Sequence, residues 1–184
     1  MAWALASSVS TLDPMSIRTG VRVALAAEPA ANVTTGVPVL DHLIGVLART
    51  AGLDVTLEVS PDGAEAEVVA AGRALGTALH PTLRAEGASG RGWAVIPSQE
   101  SLAHLALEVD ESPSVASNVD LSDERLAGLA GDPVALFLDE LAAGAGIVLH
   151  VRLIEGRDPE HVLEAIFKAL GAALGQAARP AYPS

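Results

Sequence analysis

The chain has 184 residues, no cysteine, 3 % aromatic residues and a formal charge of −12, from 23 acidic against 11 basic side chains. Without cysteine there are no disulfides, thiolate metal sites or cysteine nucleophiles, so any metal ligand must be histidine or carboxylate. The acidic balance and scarcity of aromatics argue against nucleic acid, which requires clustered Lys and Arg and stacking surfaces. No apolar run approaches the roughly 20 residues needed to span a bilayer, and Met1 to Ser10 lacks the basic start of an export signal, so a soluble cytoplasmic protein is expected.

Residues 1–16 show no periodicity and read as a disordered leader. From Ile17 to Ala26, alternation of Ile17, Thr19, Val21, Val23 and Leu25 predicts a strand. The segment Glu28-Pro29-Ala30-Ala31-Asn32 reads as a turn into a second strand, Val33 to Val37, so a hairpin is expected. Val39, Leu40, Leu43, Val46 and Leu47 follow a helical period, opened by Pro38 and stopped by Gly52. Leu53, Val55, Leu57 and Val59 alternate with Asp54, Thr56 and Glu58 as a one-sided strand, and a helix follows from Ala64 to Leu79.

Trp93 to Ile96 and Leu102 to Val109 look extended beyond a Gly-rich loop, with Ala103, Leu105, Leu107 and Val109 on one face. That loop, from Gly87 to Gly92, lacks the Lys-Ser/Thr of a phosphate loop and reads as a plain connection. A short strand from Val115 to Val119, an acidic link from Asp120 to Gly131, a helix from Val134 to Ala143, a strand from Ile147 to Leu153 and a long helix from Pro159 to Ala178 complete the chain.

An internal repeat runs through this pattern. Arg73-Ala74-Leu75-Gly76-Thr77-Ala78-Leu79 matches Lys168-Ala169-Leu170-Gly171-Ala172-Ala173-Leu174, and the segment starting at Ala51-Gly52-Leu53 matches that starting at Ala145-Gly146-Ile147. The expected fold is therefore α+β, with two similar half-domains at 17–97 and 98–178 and a tail at 179–184. Each half should hold a mixed sheet of about four strands backed by two helices.

Three segments carry a family resemblance: Pro38-Val39-Leu40-Asp41-His42-Leu43, Leu149-His150-Val151-Arg152-Leu153, and Glu160-His161-Val162-Leu163-Glu164-Ala165-Ile166-Phe167-Lys168-Ala169. With them, the chain from Ile17 to Ala178 resembles the imidazoleglycerol-phosphate dehydratase family of histidine biosynthesis. The resemblance implies a duplicated fold, a hydro-lyase reaction from imidazole glycerol phosphate to imidazole acetol phosphate, and assembly into trimers or larger shells. It also implies two manganese ions that bind the substrate ring as imidazolate, held by a His-His-x-x-Glu motif in each half.

By that correspondence the metal ligands would be His42, His161, Glu164, Glu65 and Glu160. The second half keeps His161 and Glu164, with Glu160 in place of a histidine. The first half has Glu65, Ala66 and Val69, of which only Glu65 can donate. A further family histidine falls at Leu136, a strand glutamate at Arg18, and one phosphate-binding arginine at Ser112. Arg91 and Lys168 stand for the phosphate grip on a small phosphorylated imidazole ligand. This donor set implies one manganese ion or none, and leaves open an altered dehydratase, a catalytically silent paralogue with an assembly or ligand-binding role (a pseudoenzyme), or a different lyase or isomerase on the same scaffold. His150 and Arg152 share a strand face and suit a structural or subunit-contact role, while His80 and His104 read as surface residues.

Overall fold

The computed structural model describes residues 19–60, 63–121 and 132–181. The expected leader and most of the acidic link lie outside them. Eleven elements follow in order among the described residues: β1 (Gly20–Leu25), β2 (Ala31–Thr34), α1 (Pro38–Ala51), β3 (Leu53–Glu58), α2 (Ala64–Leu83), β4 (Arg91–Ser98), β5 (Ser101–Val109), β6 (Ser114–Ser117), α3 (Pro133–Ala145), β7 (Ile147–Glu155) and α4 (Pro159–Ala177). They form a three-stranded sheet ordered β1-β3-β2 and a four-stranded sheet ordered β4-β5-β7-β6.

The hairpin expected between the first two strands does not form. β3 lies between them, antiparallel to β1 and parallel to β2. Leu53, Val55 and Leu57 of β3 are essentially fully buried, so this strand takes the central place. The segment between β1 and β2 must cross the width of one strand, which a tight two-residue turn cannot do. The first sheet thus has three strands among the described residues rather than four. α2 also runs past Leu79 and through Pro81 to Leu83, whose side chain is drawn into the core.

The repeat is visible in the topology. β1, β2, α1, β3 and α2 correspond in order and strand direction to β5, β6, α3, β7 and α4, with β4 added at the edge of the second sheet. β4 and β5 pair through a short turn at Gln99 and Glu100. The second sheet therefore begins at Arg91.

Between the sheets, each helix packs on a helix of the opposite half: α1 on α4, and α2 on α3. Glycine permits the close approach at equivalent places. A Cβ on Gly171 would sit 2.5 Å from the Leu47 carbonyl oxygen, and one on Gly76 would collide with that of Leu141. At the other end of each contact an arginine crosses between halves. Arg84 donates to the carbonyls of Ala145 and Gly146 at 2.8 and 2.9 Å, and Arg179 to those of Ala51 and Gly52 at 2.9 and 3.3 Å. Gly52 and Gly146, with φ of 69° and 66°, end α1 and α3 in the left-handed conformation that glycine tolerates best. Phe137 of α3 and Phe167 of α4, both fully buried with ring centroids 5.4 Å apart, link the two helices of the second half within the helix layer.

Gly171→Ala should therefore lose about 1–3 kcal/mol of stability through forced separation of α4 from α1. Gly20→Ala, with no atom within 4 Å of the new methyl, should be close to neutral. Chemical denaturation of the two variants checks both expectations.

Candidate functional site

α1 and α4 run side by side in the same direction, since Gly171 approaches Leu47 and Gly175 approaches Ala51. Their first turns therefore open at the same end of the helix layer. Val39, Leu40 and Leu43 of α1 meet Leu163 and Phe167 of α4 there, around a small apolar cavity. The turn between β4 and β5 also reaches this end, and it anchors the start of α4.

The anchor is Glu100. Its Oε1 accepts from the backbone N–H groups of Asp158 at 3.1 Å and Arg157 at 3.4 Å, and from the Ser101 hydroxyl at 3.3 Å. Its Oε2 lies 2.6 Å from His161 Nδ1. The Asp158 N–H foremost, then Glu100's own backbone N–H, His161 and the Arg157 N–H, lower the Glu100 pKa to about 2. The same carboxylate raises the His161 pKa, its hydrogen bond being the largest cause. Asp158 caps α4 by accepting from the N–H groups of Glu160 and His161 at 2.9 and 3.4 Å. The neighbouring Gln99 is the one described non-glycine residue with positive φ, at 50°.

One turn further along α4, Glu164 is fully engaged. The buried Ser98 hydroxyl donates to its Oε2 at 2.6 Å, and Lys168 Nζ lies 3.2 Å from its Oε1. Lys168 also donates to the Ser98 oxygen at 3.3 Å, closing a triangle. The Ser98 hydrogen bond, then Lys168, then the charge of His42 hold the Glu164 pKa below its ordinary value. His42 itself is exposed on α1. Just upstream of it, Asp41 Oδ1 accepts from the Thr35 N–H at 2.8 Å and from the Thr35 hydroxyl at 2.5 Å, which fixes the entry into α1.

The structure thus brings together His161, Glu164 and Lys168, with His42 within electrostatic reach. It does not bring in the others. Glu160 is exposed at the start of α4. Glu65 is exposed at the start of α2, in a shallow hollow with Ala66 and Val69. Arg91 pairs with Glu108 at 3.3 Å on the outer surface of the second sheet. Along β4 it lies about 23 Å from Ser98, beside which Lys168 sits, so Arg91 and Lys168 cannot grip one phosphate within a chain. Leu136 is packed against the core. His80 is exposed, with its Nδ1 3.1 Å from Arg84, and His104, His150 and Arg152 lie on the outer face of the second sheet.

Two site residues, Ser98 and Glu100, were not anticipated. Their polar turn between extended segments was visible in the sequence, but their partners are 66 and 61 positions away.

Among the described residues no group of three or more His, Asp or Glu side chains could hold a metal ion. Glu164 and His161 already have protein partners. The donors among the described residues therefore do not fit a pair of manganese ions.

Residues 35–174 match the family model described as Imidazoleglycerol-phosphate dehydratase. Among similar proteins, the imidazoleglycerol-phosphate dehydratase of Heliobacterium modesticaldum is 36 % identical over 148 residues, covering 78 % of this chain and 76 % of that protein. That of Desulforudis audaxviator is 33 % identical over 167 residues, covering 88 % and 85 %. The crystal structure of the Staphylococcus aureus enzyme superposes with a TM-score of 0.81 at 24 % identity, covering 89 % of this chain and 95 % of the other. The Pyrococcus furiosus enzyme, solved in complex with (S)-C348, gives 0.78 at 25 % identity, covering 91 % and 95 %. The fold is thus the duplicated α+β architecture of these enzymes. The chain belongs to the imidazoleglycerol-phosphate dehydratase family. Among the described residues, no helix is long and apolar enough to cross a membrane.

The His161 and Glu100 shifts set a pH window. His161, with a raised pKa, contributes stability below its ordinary value of 6.5 and loses it as pH rises through the folded value. Glu100, with a lowered pKa, contributes above its ordinary 4.5 and loses it as pH falls towards about 2. The stability difference between the unmodified protein and Glu100→Gln should therefore be largest between about pH 4.5 and 6.5 and shrink on both sides. Urea midpoints measured across pH 3 to 9 check it.

Proposed function

We propose that this protein is a paralogue of the dehydratase that has given up two-metal dehydration and acts by assembling with itself and binding a small phosphorylated imidazole ligand in the cytoplasm. The observation that supports this reading is the triangle of Ser98, Glu164 and Lys168. The carboxylate that the family resemblance assigns to a metal takes its positive partner from the same helix and its hydrogen bond from β4.

The dehydration depends on acidifying a C–H bond next to an imidazole ring, and two divalent cations supply that by binding the ring as imidazolate. Here the second-half motif retains His161 and Glu164, both paired, while the first-half motif retains one exposed carboxylate, Glu65. His42, Glu65 and Glu160 add too few donors to complete two ions. Loss of a Lewis acid worth about 4 kcal/mol of barrier corresponds to roughly a thousandfold in rate.

The same residues suit binding without metal. His161 near the start of α4 and Lys168 in its middle are the cationic groups on this side of the helix layer, and an anion drawn to the helix start would compete with Glu100 and Glu164 for them. Assembly into a trimer or larger is part of the reading, by resemblance to the family.

Elemental analysis of the purified protein should give less than one manganese per chain, and EDTA should leave its thermal midpoint unchanged. Imidazole glycerol phosphate should not be converted, and the gene should fail to rescue a histidine auxotroph lacking the dehydratase. Two bound ions together with dehydratase turnover would overturn the reading.

A further inference from the structure

We infer that the two-residue turn joining β4 to β5 is an autoinhibitory latch: closed in this structure, it puts the Glu100 carboxylate where an anionic ligand would lie at the start of α4, and opening of the turn frees that place. The inference rests on the ligand-binding reading above and concerns how that binding is regulated.

Ser98 faces Ser101 across the ladder, which leaves Gln99 and Glu100 as the whole connection. Gln99 has φ of 50°, and Glu100 lies outside the positive-φ region. Two-residue hairpin turns with positive φ at the first central position alone favour glycine there, because a Cβ is crowded by the adjoining backbone. Gln99 carries that Cβ, and its exposed side chain takes no part in holding the turn. The holding contacts come from its neighbours, and they all end on α4 and the residues just before it. Glu100 accepts from the N–H groups of Arg157 and Asp158 and meets the His161 ring, while Ser98 donates to Glu164. The backbone at Gln99 is thus kept in a costly conformation by what the turn grips.

That grip is shallow. The Glu100 and His161 side chains are 45 and 37 % exposed, and hydrogen bonds open to water contribute little each. Ser98 and Ser101 are buried and serve as hinge points, between which the exposed Gln99 and Glu100 swing outward without unfolding the sheet. Opening relieves Gln99 and releases the two N–H groups and the His161 ring together. A phosphate-bearing ligand needs those groups and finds a carboxylate on them while the turn is closed. Its apparent affinity is therefore the intrinsic one reduced by the open fraction.

Two substitutions at Gln99 shift the latch in opposite directions without altering any group that it grips. Asparagine tolerates the left-handed region better than glutamine, so Gln99→Asn favours the closed turn; proline fixes φ at about −65°, so Gln99→Pro favours the open one. In the full-length protein, amide hydrogen exchange followed by NMR should slow about twofold at Arg157 and Asp158 in Gln99→Asn and quicken about tenfold in Gln99→Pro. The Phe167 amide, inside α4, should be unchanged and reports global folding. Inorganic phosphate, titrated by phosphorus NMR, should bind about threefold more tightly to Gln99→Pro than to the unmodified protein, and more weakly to Gln99→Asn. Exchange at Arg157 and Asp158 that ignores both changes, or phosphate bound equally by all three proteins, overturns the latch and leaves the ligand site standing. Phosphate bound by none of them overturns the ligand reading and the latch with it. Should the proline variant lose protection at Phe167, the asparagine variant decides by the same two measurements.

Discussion

Everything else in this molecule depends on the close crossing of helices between halves. α4 lies so near α1, and α2 so near α3, that glycine faces a backbone carbonyl at each crossing, and nothing larger fits. Neither sheet could be buried by its own helices if those helices did not also bury one another. The arginine caps reinforce this dependence, because the exposed carbonyls that end α1 and α3 are satisfied from the opposite half. A half on its own would leave both an apolar helix face and a set of helix-end carbonyls in water.

The same crossing explains where the site lies. Parallel packing of α1 and α4 places His42 and Glu164 at one end of the layer although 122 positions separate them in the chain. The turn of β4 and β5 then covers the first turn of α4, with Glu100 acting as a multiple acceptor and Ser98 holding Glu164. Site geometry here is a by-product of core packing.

Much of the fold was legible in the residues. Alternation in Leu53, Val55 and Leu57 marked β3, the period through Val39 to Leu47 marked α1, and the repeated Ala-Leu-Gly segments disclosed the duplication with its equivalent glycines. What was not legible was strand order. Alternation says that β1 and β2 are strands, but only the burial of β3 on its inner face makes it central and separates them. The place of β4 was hidden for a similar reason, since it joins its sheet by pairing with β5, a property of neither strand alone. At the site, the His161 and Glu164 pattern was visible from resemblance to the family. The partners that occupy them, Glu100 and Ser98, come from long-range closure that spacing does not encode.

The pairing of halves also fixes what substitution can do. If the two halves were separate identical chains associating about a true two-fold axis, each change would appear twice, and losing a ligand from one helix start would mean losing it from both. In a single continuous chain the two helix starts are independent loci. The start of α2 carries Glu65, Ala66 and Val69 while that of α4 carries Glu160, His161 and Glu164, yet Arg84 and Arg179 perform one structural duty in common. Covalent fusion thus keeps the scaffold symmetric while leaving its two ends free to specialise, and the asymmetry between those ends is the mark of that freedom.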